Sequence, residues 1–151
     1  YDLKKYFIIH PLESQAELAK DIMNYWQEGF GSEYNPDRKE AFRIVTVSPN
    51  IDSVIQYIHE QEGILPLVIT TDARKFSNTI SYQHMRSLIH LNKRSCLNLF
   101  GTGWGIEKSV MEKFDYILEP IYGPGDYNHL PVRAAVAIIL DRLLGENWWH
   151  E

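Results

Sequence analysis

Two glycine-rich stretches carry the clearest chemical signal in this 151-residue chain: Gly101-Thr102-Gly103-Trp104-Gly105, and Glu119-Pro120-Ile121-Tyr122-Gly123-Pro124-Gly125. Glycine lets a backbone approach a ligand closely and reach positive φ without strain. The first stretch lies between an apolar run and a short helical pattern, whose leading turn offers unpaired N–H groups. A dinucleotide fingerprint needs G-x-G-x-x-G after the strand that opens the fold. Here the spacing is G-x-G-x-G after a fourth strand, and Trp104 fills space a phosphate would need. A nicotinamide-dependent oxidoreductase is the weaker reading on both grounds. The second stretch continues through Asp126-Tyr127-Asn128-His129-Leu130, a stiff, sharply turned segment dense in aromatic and polar groups. A plain connector between strand and helix needs no such cluster, so this segment is a candidate site.

The elements that position these stretches alternate between two periodicities. Residues 6–10 read as a buried strand ended by Pro11, and Ala19, Ile22, Met23 and Trp26 have helical spacing. Residues 29–38 read as a loop, 42–47 as a second strand. Ser48 then reads as an N-cap with Pro49 at the first helical position, followed by the stripe Ile51, Val54, Ile55 and Ile58 and a closing Gly63. A third strand covers 65–70. After a polar loop, Tyr82, Met85, Leu88 and Ile89 mark a helix, 96–100 a fourth strand, Val110, Met111 and Phe114 a short helix, and 116–118 a fifth strand. A last helix runs from Pro131 to Gly145. Repeated β–α units with apolar strands predict an α/β fold, a mainly parallel five- to six-stranded sheet with helices on both faces. No repeat, low-complexity tract or linker divides the chain, so a single domain over 1–151 is expected. In such sheets ligands bind beyond the carboxyl ends of the strands, where both glycine-rich stretches fall.

Composition is that of an ordinary globular domain, 44% hydrophobic and 23% charged. No apolar run approaches the roughly 20 residues that span a bilayer, and no signal peptide opens the chain, so a cytoplasmic protein without a membrane partner is expected. A net charge of −5 argues against a surface coated for nonspecific nucleic-acid binding. Two local basic groups remain: Arg86, His90, Lys93 and Arg94, and Arg38, Lys39 and Arg43. Either a solvated face or a binding surface explains each. Cys96 is the single cysteine and reads as a buried, inert thiol. No metal site is arguable, since His59, Glu60 and Glu62 are better explained by an exposed helix end. The chain begins at Tyr1, consistent with a piece of a longer polypeptide.

The final helix carries one apolar stripe of Val132, Ala135, Val136, Ile139, Leu140 and Leu143, widened by Ala134, Ala137 and Ile138. A helix apolar on most sides is buried on most sides. In a domain this small, one covering layer is expected to be a second subunit, which favours a homodimer, with simple deep burial as the alternative.

Three segments, in order, are similar to the C-terminal motifs of the SPOUT-class RNA methyltransferases: Leu99-Phe100-Gly101-Thr102-Gly103-Trp104-Gly105-Ile106, Leu118-Glu119-Pro120-Ile121-Tyr122-Gly123, and Asp126-Tyr127-Asn128-His129-Leu130-Pro131-Val132-Arg133-Ala134-Ala135. They most resemble a bacterial subfamily found alone or fused behind a tRNA guanine-N1 methyltransferase domain. The resemblance implies a deep trefoil knot over about 97–145, an obligate dimer, S-adenosylmethionine as cofactor and structured RNA (tRNA or rRNA) as substrate. It places adenine and ribose against the backbone of 99–105, 118–123 and 128–131. The implied cofactor residues are Leu99, Phe100, Gly101, Thr102, Gly103, Gly105, Pro120, Ile121, Gly123, Asn128, His129 and Leu130. Where the subfamily usually has serine, this chain has Pro131 and Ala134, so any hydroxyl contact from those positions is lost.

Methyl transfer from a sulfonium is an in-line displacement that requires alignment and, for some acceptors, a base. The third strand leads into Thr71, Asp72 and Arg74. Arg74 is the leading catalytic candidate, because the class often places an arginine near the end of its first motif. Asn128 and Arg133 are candidates for orienting RNA or the cofactor carboxylate. His129 is either a base or a histidine bonded into its loop. A second reading is an RNA-binding or dimerisation module that keeps the fold without turnover.

Overall fold

The computed structural model describes residues 1–102 and 106–146. The chain divides into two compact units, Asp2–Gly63 and Ile64–Glu151, with Tyr1 grouped with the second.

In the first unit the order is β1 (Tyr6–Ile9), α1 (Glu13–Gln27), α2 (Phe30–Tyr34), α3 (Pro36–Phe42), β2 (Val45–Ser48) and α4 (Ile51–Glu62). β1 and β2 pair in parallel from Tyr6↔Val45 to Ile9↔Ser48. The stretch expected as a loop at 29–38 instead holds α2 and the start of α3. Asn35 and Pro36, read as breakers, form a helix start: the Asn35 side chain accepts from Arg38 N at 3.0 Å, and Pro36 occupies the first turn. Phe42 therefore ends a helix and does not open β2. The cap of α4 also lies further on than expected. Ser48 completes β2, while Asn50 Oδ1 accepts from Ser53 N at 2.8 Å. Gly63 closes α4 at φ 71°, a left-handed conformation that favours glycine. The basic residues here have local partners: Arg38 lies 4.3 Å over the Trp26 ring, and Arg43 pairs with Glu40 at 2.8 Å.

The second unit contains β3 (Leu67–Thr71), β4 (Thr79–Ile80), α5 (Tyr82–Leu91), β5 (Cys96–Leu99), α6 (Lys108–Met111), β6 (Tyr116–Leu118) and α7 (Val132–Leu144). Its strands form a parallel sheet of order β4-β6-β3-β5. All six described strands are thus parallel, as expected, but they lie in sheets of two and four and not in one. The short β4 falls inside the expected polar loop, because two residues show no periodicity; it forms by pairing with β6.

Alternation along the strands explains the core. Leu67, Ile69, Ile80 and Leu118 cluster with Tyr82 and Met85 of α5 and Ile139 and Leu143 of α7. Val68, Thr70 and Ile117, facing the other way, are equally buried, so both faces of the sheet are covered. Each such aliphatic side chain contributes about 1.5–3 kcal/mol by leaving water. Cys96 packs against this cluster, and burial pushes its thiol up to about 12. Two arginines of the first basic group are structural: Arg86 donates to Arg142 O at 3.0 Å, and Arg94 donates to Leu65 O and Pro66 O. No helix among the described residues is long and apolar enough to cross a membrane.

Candidate functional site

The parallel register brings three strand ends to one place. Thr70 pairs with Leu99 and Thr71 with Leu118, so the chain leaves β3, β5 and β6 side by side. The residues that follow, Asp72, Phe100 and Glu119, line a cavity of about 630 Å³ closed from the other side by the lead-in and first turns of α7. This volume lies within the range of roughly 300–1,000 Å³ typical of small-molecule sites, and it sits beyond the strand carboxyl ends where such sites form. A smaller cavity of about 200 Å³ in the first unit, lined by Tyr6, Ala41, Phe42, Ile44 and Val45, has no convergent polar groups.

The walls combine apolar side chains with unused peptide groups. Phe100, Ile121, Leu130, Val132, Ala135 and Ile139 supply the apolar surface. Among the described residues, the peptide groups from Ile121 to Leu130 make no backbone–backbone hydrogen bond. Of these residues Ile121 and Asn128 are half-buried and line the cavity, and half-buried backbone groups need partners, so a ligand edge with donors and acceptors fits here. Pairing resumes at Pro131, the N-cap of α7, whose carbonyl accepts from Ala134 N and Ala135 N. A Cβ built on Gly123 or Gly125 meets nothing within 4 Å, so both glycines border open space. The Tyr82 hydroxyl is buried without a partner among the described residues. Burial raises its pKa, against the lowering effect of the nearby Arg142 cation.

Polar side chains fix the loops around the cavity. Asn128 Nδ2 donates to Ala73 O at 2.8 Å, tying the lead-in of α7 to the loop after β3. Glu119 Oε1 accepts from Tyr82 N at 3.0 Å, which fastens the end of β6 to the start of α5. Asp72 holds Arg74 through both carboxylate oxygens, Nε to Oδ1 at 2.9 Å and Nη2 to Oδ2 at 3.0 Å, and also accepts from Arg74 N at 2.8 Å. The Asp72 side chain is 12% exposed and that of Arg74 66%. The Arg74 hydrogen bonds hold the Asp72 carboxyl below its ordinary range, with a smaller lowering from His129. A carboxylate so satisfied is a weak base, and its evident effect is to aim the guanidinium.

Of the residues singled out in the sequence, Arg74, Phe100, Gly101, Pro120, Ile121, Asn128, His129 and Leu130 line this cavity. Leu99 is buried at the end of β5, where its carbonyl accepts from Thr70 Oγ1 at 3.2 Å. Thr102, Gly123 and Arg133 are exposed and outside the lining. Gly103 and Gly105 lie outside the described residues. Tyr82 and Glu119 join the site without having been singled out. Tyr82 reads as one more apolar position of a helix, whereas Glu119 opens the second glycine-rich stretch and was legible there.

The fold has counterparts of known structure. TrmJ from Zymomonas mobilis ZM4 matches with a TM-score of 0.59 at 16% identity, over 97% of this chain and 70% of that one. A protein described as a probable methylase family protein, from Haemophilus influenzae Rd KW20, matches with a TM-score of 0.58 at 19% identity, over 91% and 61%. In sequence, an uncharacterised protein of Aquifex aeolicus is 46% identical over 147 residues, covering 97% of this chain and 72% of the relative. A tRNA (guanine-N(1)-)-methyltransferase of Oleidesulfovibrio alaskensis is 38% identical over 146 residues, and the chain spans only 34% of its length. The model of the SAM-dependent RNA methyltransferase family matches residues 1–145, and the chain belongs to that family, with a SPOUT-class α/β fold.

Proposed function

We propose that the 630 Å³ cavity of the second unit holds S-adenosylmethionine, and that methyl transfer there modifies a nucleotide of structured RNA, tRNA or rRNA. The observation that carries this reading is the set of peptide groups of Ile121 and of Asn128 to Leu130, unpaired with other backbone, in a cavity that also has apolar walls. An adenine needs that combination: flat apolar contact on its faces and backbone donors and acceptors at its edge. Phe100, Gly101, Pro120, Ile121, His129 and Leu130 would hold it; Leu99, Thr102, Gly103, Gly105 and Gly123 are added by the sequence resemblance alone. When bound, the cofactor supplies a methyl group on a sulfonium for in-line displacement. The protein's part is alignment: Arg74, clamped by Asp72, directs a cation at the acceptor, and Asn128 keeps the two loops in register. Arg133 is exposed on the first turn of α7 and is assigned to contact with RNA.

The same reading includes a trefoil knot over about 97–145, a homodimer, action in the cytoplasm and one functional domain along the chain. The span of the family match supports the last. The dimer is supported by α7, where Ala137 is exposed and Ala134, Val136, Ile138 and Leu140 are only half-buried. A fused form is supported by tRNA methyltransferase relatives of which this chain is about a third. Calorimetry with S-adenosylmethionine and incorporation of labelled methyl into total RNA test the proposal. Binding with incorporation is expected. No binding at millimolar cofactor would refute it, and cofactor and RNA binding without incorporation would point to the silent module.

A further inference from the structure

We propose that the cavity receives its acceptor on an unpaired nucleotide, held by an aromatic rim formed by Tyr122 and Tyr127. This inference rests on the reading of the cavity as the methyl-transfer site. Both tyrosines lie in the segment between β6 and α7, and they are 55% and 82% exposed. Neither ring serves the core. Each is instead coupled to a group beside the cavity. Lys75 Nζ lies 5.8 Å from the centre of the Tyr122 ring, one residue after Arg74. The Tyr127 ring lies 5.7 Å from that of His129, tilted by 35°, and His129 lines the cavity.

An exposed aromatic face suits a splayed nucleobase, which stacks on the ring, and at Tyr122 the neighbouring Lys75 can meet the phosphate. A base inside a duplex has its faces already covered and offers the rim nothing. Charge points the same way. The chain is net negative at −5, so phosphate contacts supply little affinity and base contacts must supply more. With Arg74, Lys75 and Arg133 as the cations that meet RNA, affinity for a single strand falls with log salt at a slope of only about −2.

The test uses the full chain and a fluorescein-labelled 15-nucleotide single-stranded oligoribonucleotide of mixed sequence, alone and annealed to its complement. Anisotropy is expected to show tighter binding of the single strand. Tyr122→Ala and Tyr127→Ala should each weaken that binding by roughly fivefold to a hundredfold, whereas Tyr122→Phe and Tyr127→Phe retain it. Equal binding of the duplex, or alanine variants that bind the single strand like the parent, would overturn the proposal. So would a change in oligomeric state in the alanine variants, since the rings would then be covered by a second copy. Calorimetry of the same variants with S-adenosylmethionine should be unchanged. Loss of cofactor binding in the parent protein would refute the methyl-transfer reading while leaving the single-strand preference readable.

Discussion

Replacing Asp72 by asparagine separates the aiming of Arg74 from every other feature of the cavity. The substitution keeps size and shape, and the amide oxygen still accepts from Arg74 N and Nε. The amide nitrogen, however, faces Arg74 Nη2, so a 3.0 Å hydrogen bond becomes two opposed donors. A charge-assisted hydrogen bond contributes about 1.5–3 kcal/mol when well buried. Arg74 is 66% exposed, so solvent screening leaves only a small loss, about twofold to fivefold in the population of the clamped guanidinium. Steady-state methyl transfer to total RNA should show kcat about twofold to fivefold lower, with the cofactor Kd unchanged, because the peptide groups of Ile121 and of Asn128 to Leu130 are untouched. Acid stability gives a second readout. The carboxyl of Asp72 titrates lower folded than unfolded, so its contribution is full above the unfolded range near pH 4 and is lost as pH falls through the folded value. Asp72→Asn should remove that portion of the acid loss. Unchanged kcat in the variant, or a loss confined to cofactor affinity, would refute the positioning role.

Three further outcomes follow from the packing. Cys96, with its thiol pushed up to about 12, should resist iodoacetamide at pH 8 in the native chain and react once urea unfolds it. Labelling at the same rate in both states would contradict its burial. Ile139→Ala, in the core between α5, α7 and the sheet, should cost about 2–5 kcal/mol in urea denaturation. Asn50→Ala should cost about 1 kcal/mol by removing the cap of α4, whereas Ser48→Ala, which leaves that cap in place and removes only the 3.3 Å bond from Ser48 Oγ to Asn50 O, should cost less.

The legible part of the fold is the part where period and burial agree. β3 is buried along most of its length and α7 is apolar on most sides, and both were evident from runs of Val, Ile, Leu and Ala. Asn35-Pro36 misled because the same two residues that break one helix start another; only the backbone of Asn35 distinguishes the cases. β4 had no pattern to show, since two residues become a strand only by finding β6. At the site, the loops were marked by glycine and proline, and most of the named residues do line the cavity. What spacing could not supply was the cross-loop pairing: Asn128 with Ala73 spans 55 positions, and Glu119 with Tyr82 spans 37.

The strand order β4-β6-β3-β5 also sets a timetable for synthesis. β3 lies between two strands made after it, and its second edge stays unpaired until Leu118 has emerged. At about 5–20 residues per second, that interval is roughly 3–10 s on the ribosome. During it, a strand of Leu-Val-Ile-Thr-Thr presents an open edge, the kind that pairs with the wrong chain. The β1–β2 pair closes earlier, once Ser48 is made. The second unit, which carries the cavity, therefore depends on the final third of the chain, and a product truncated before β6 would leave that edge exposed.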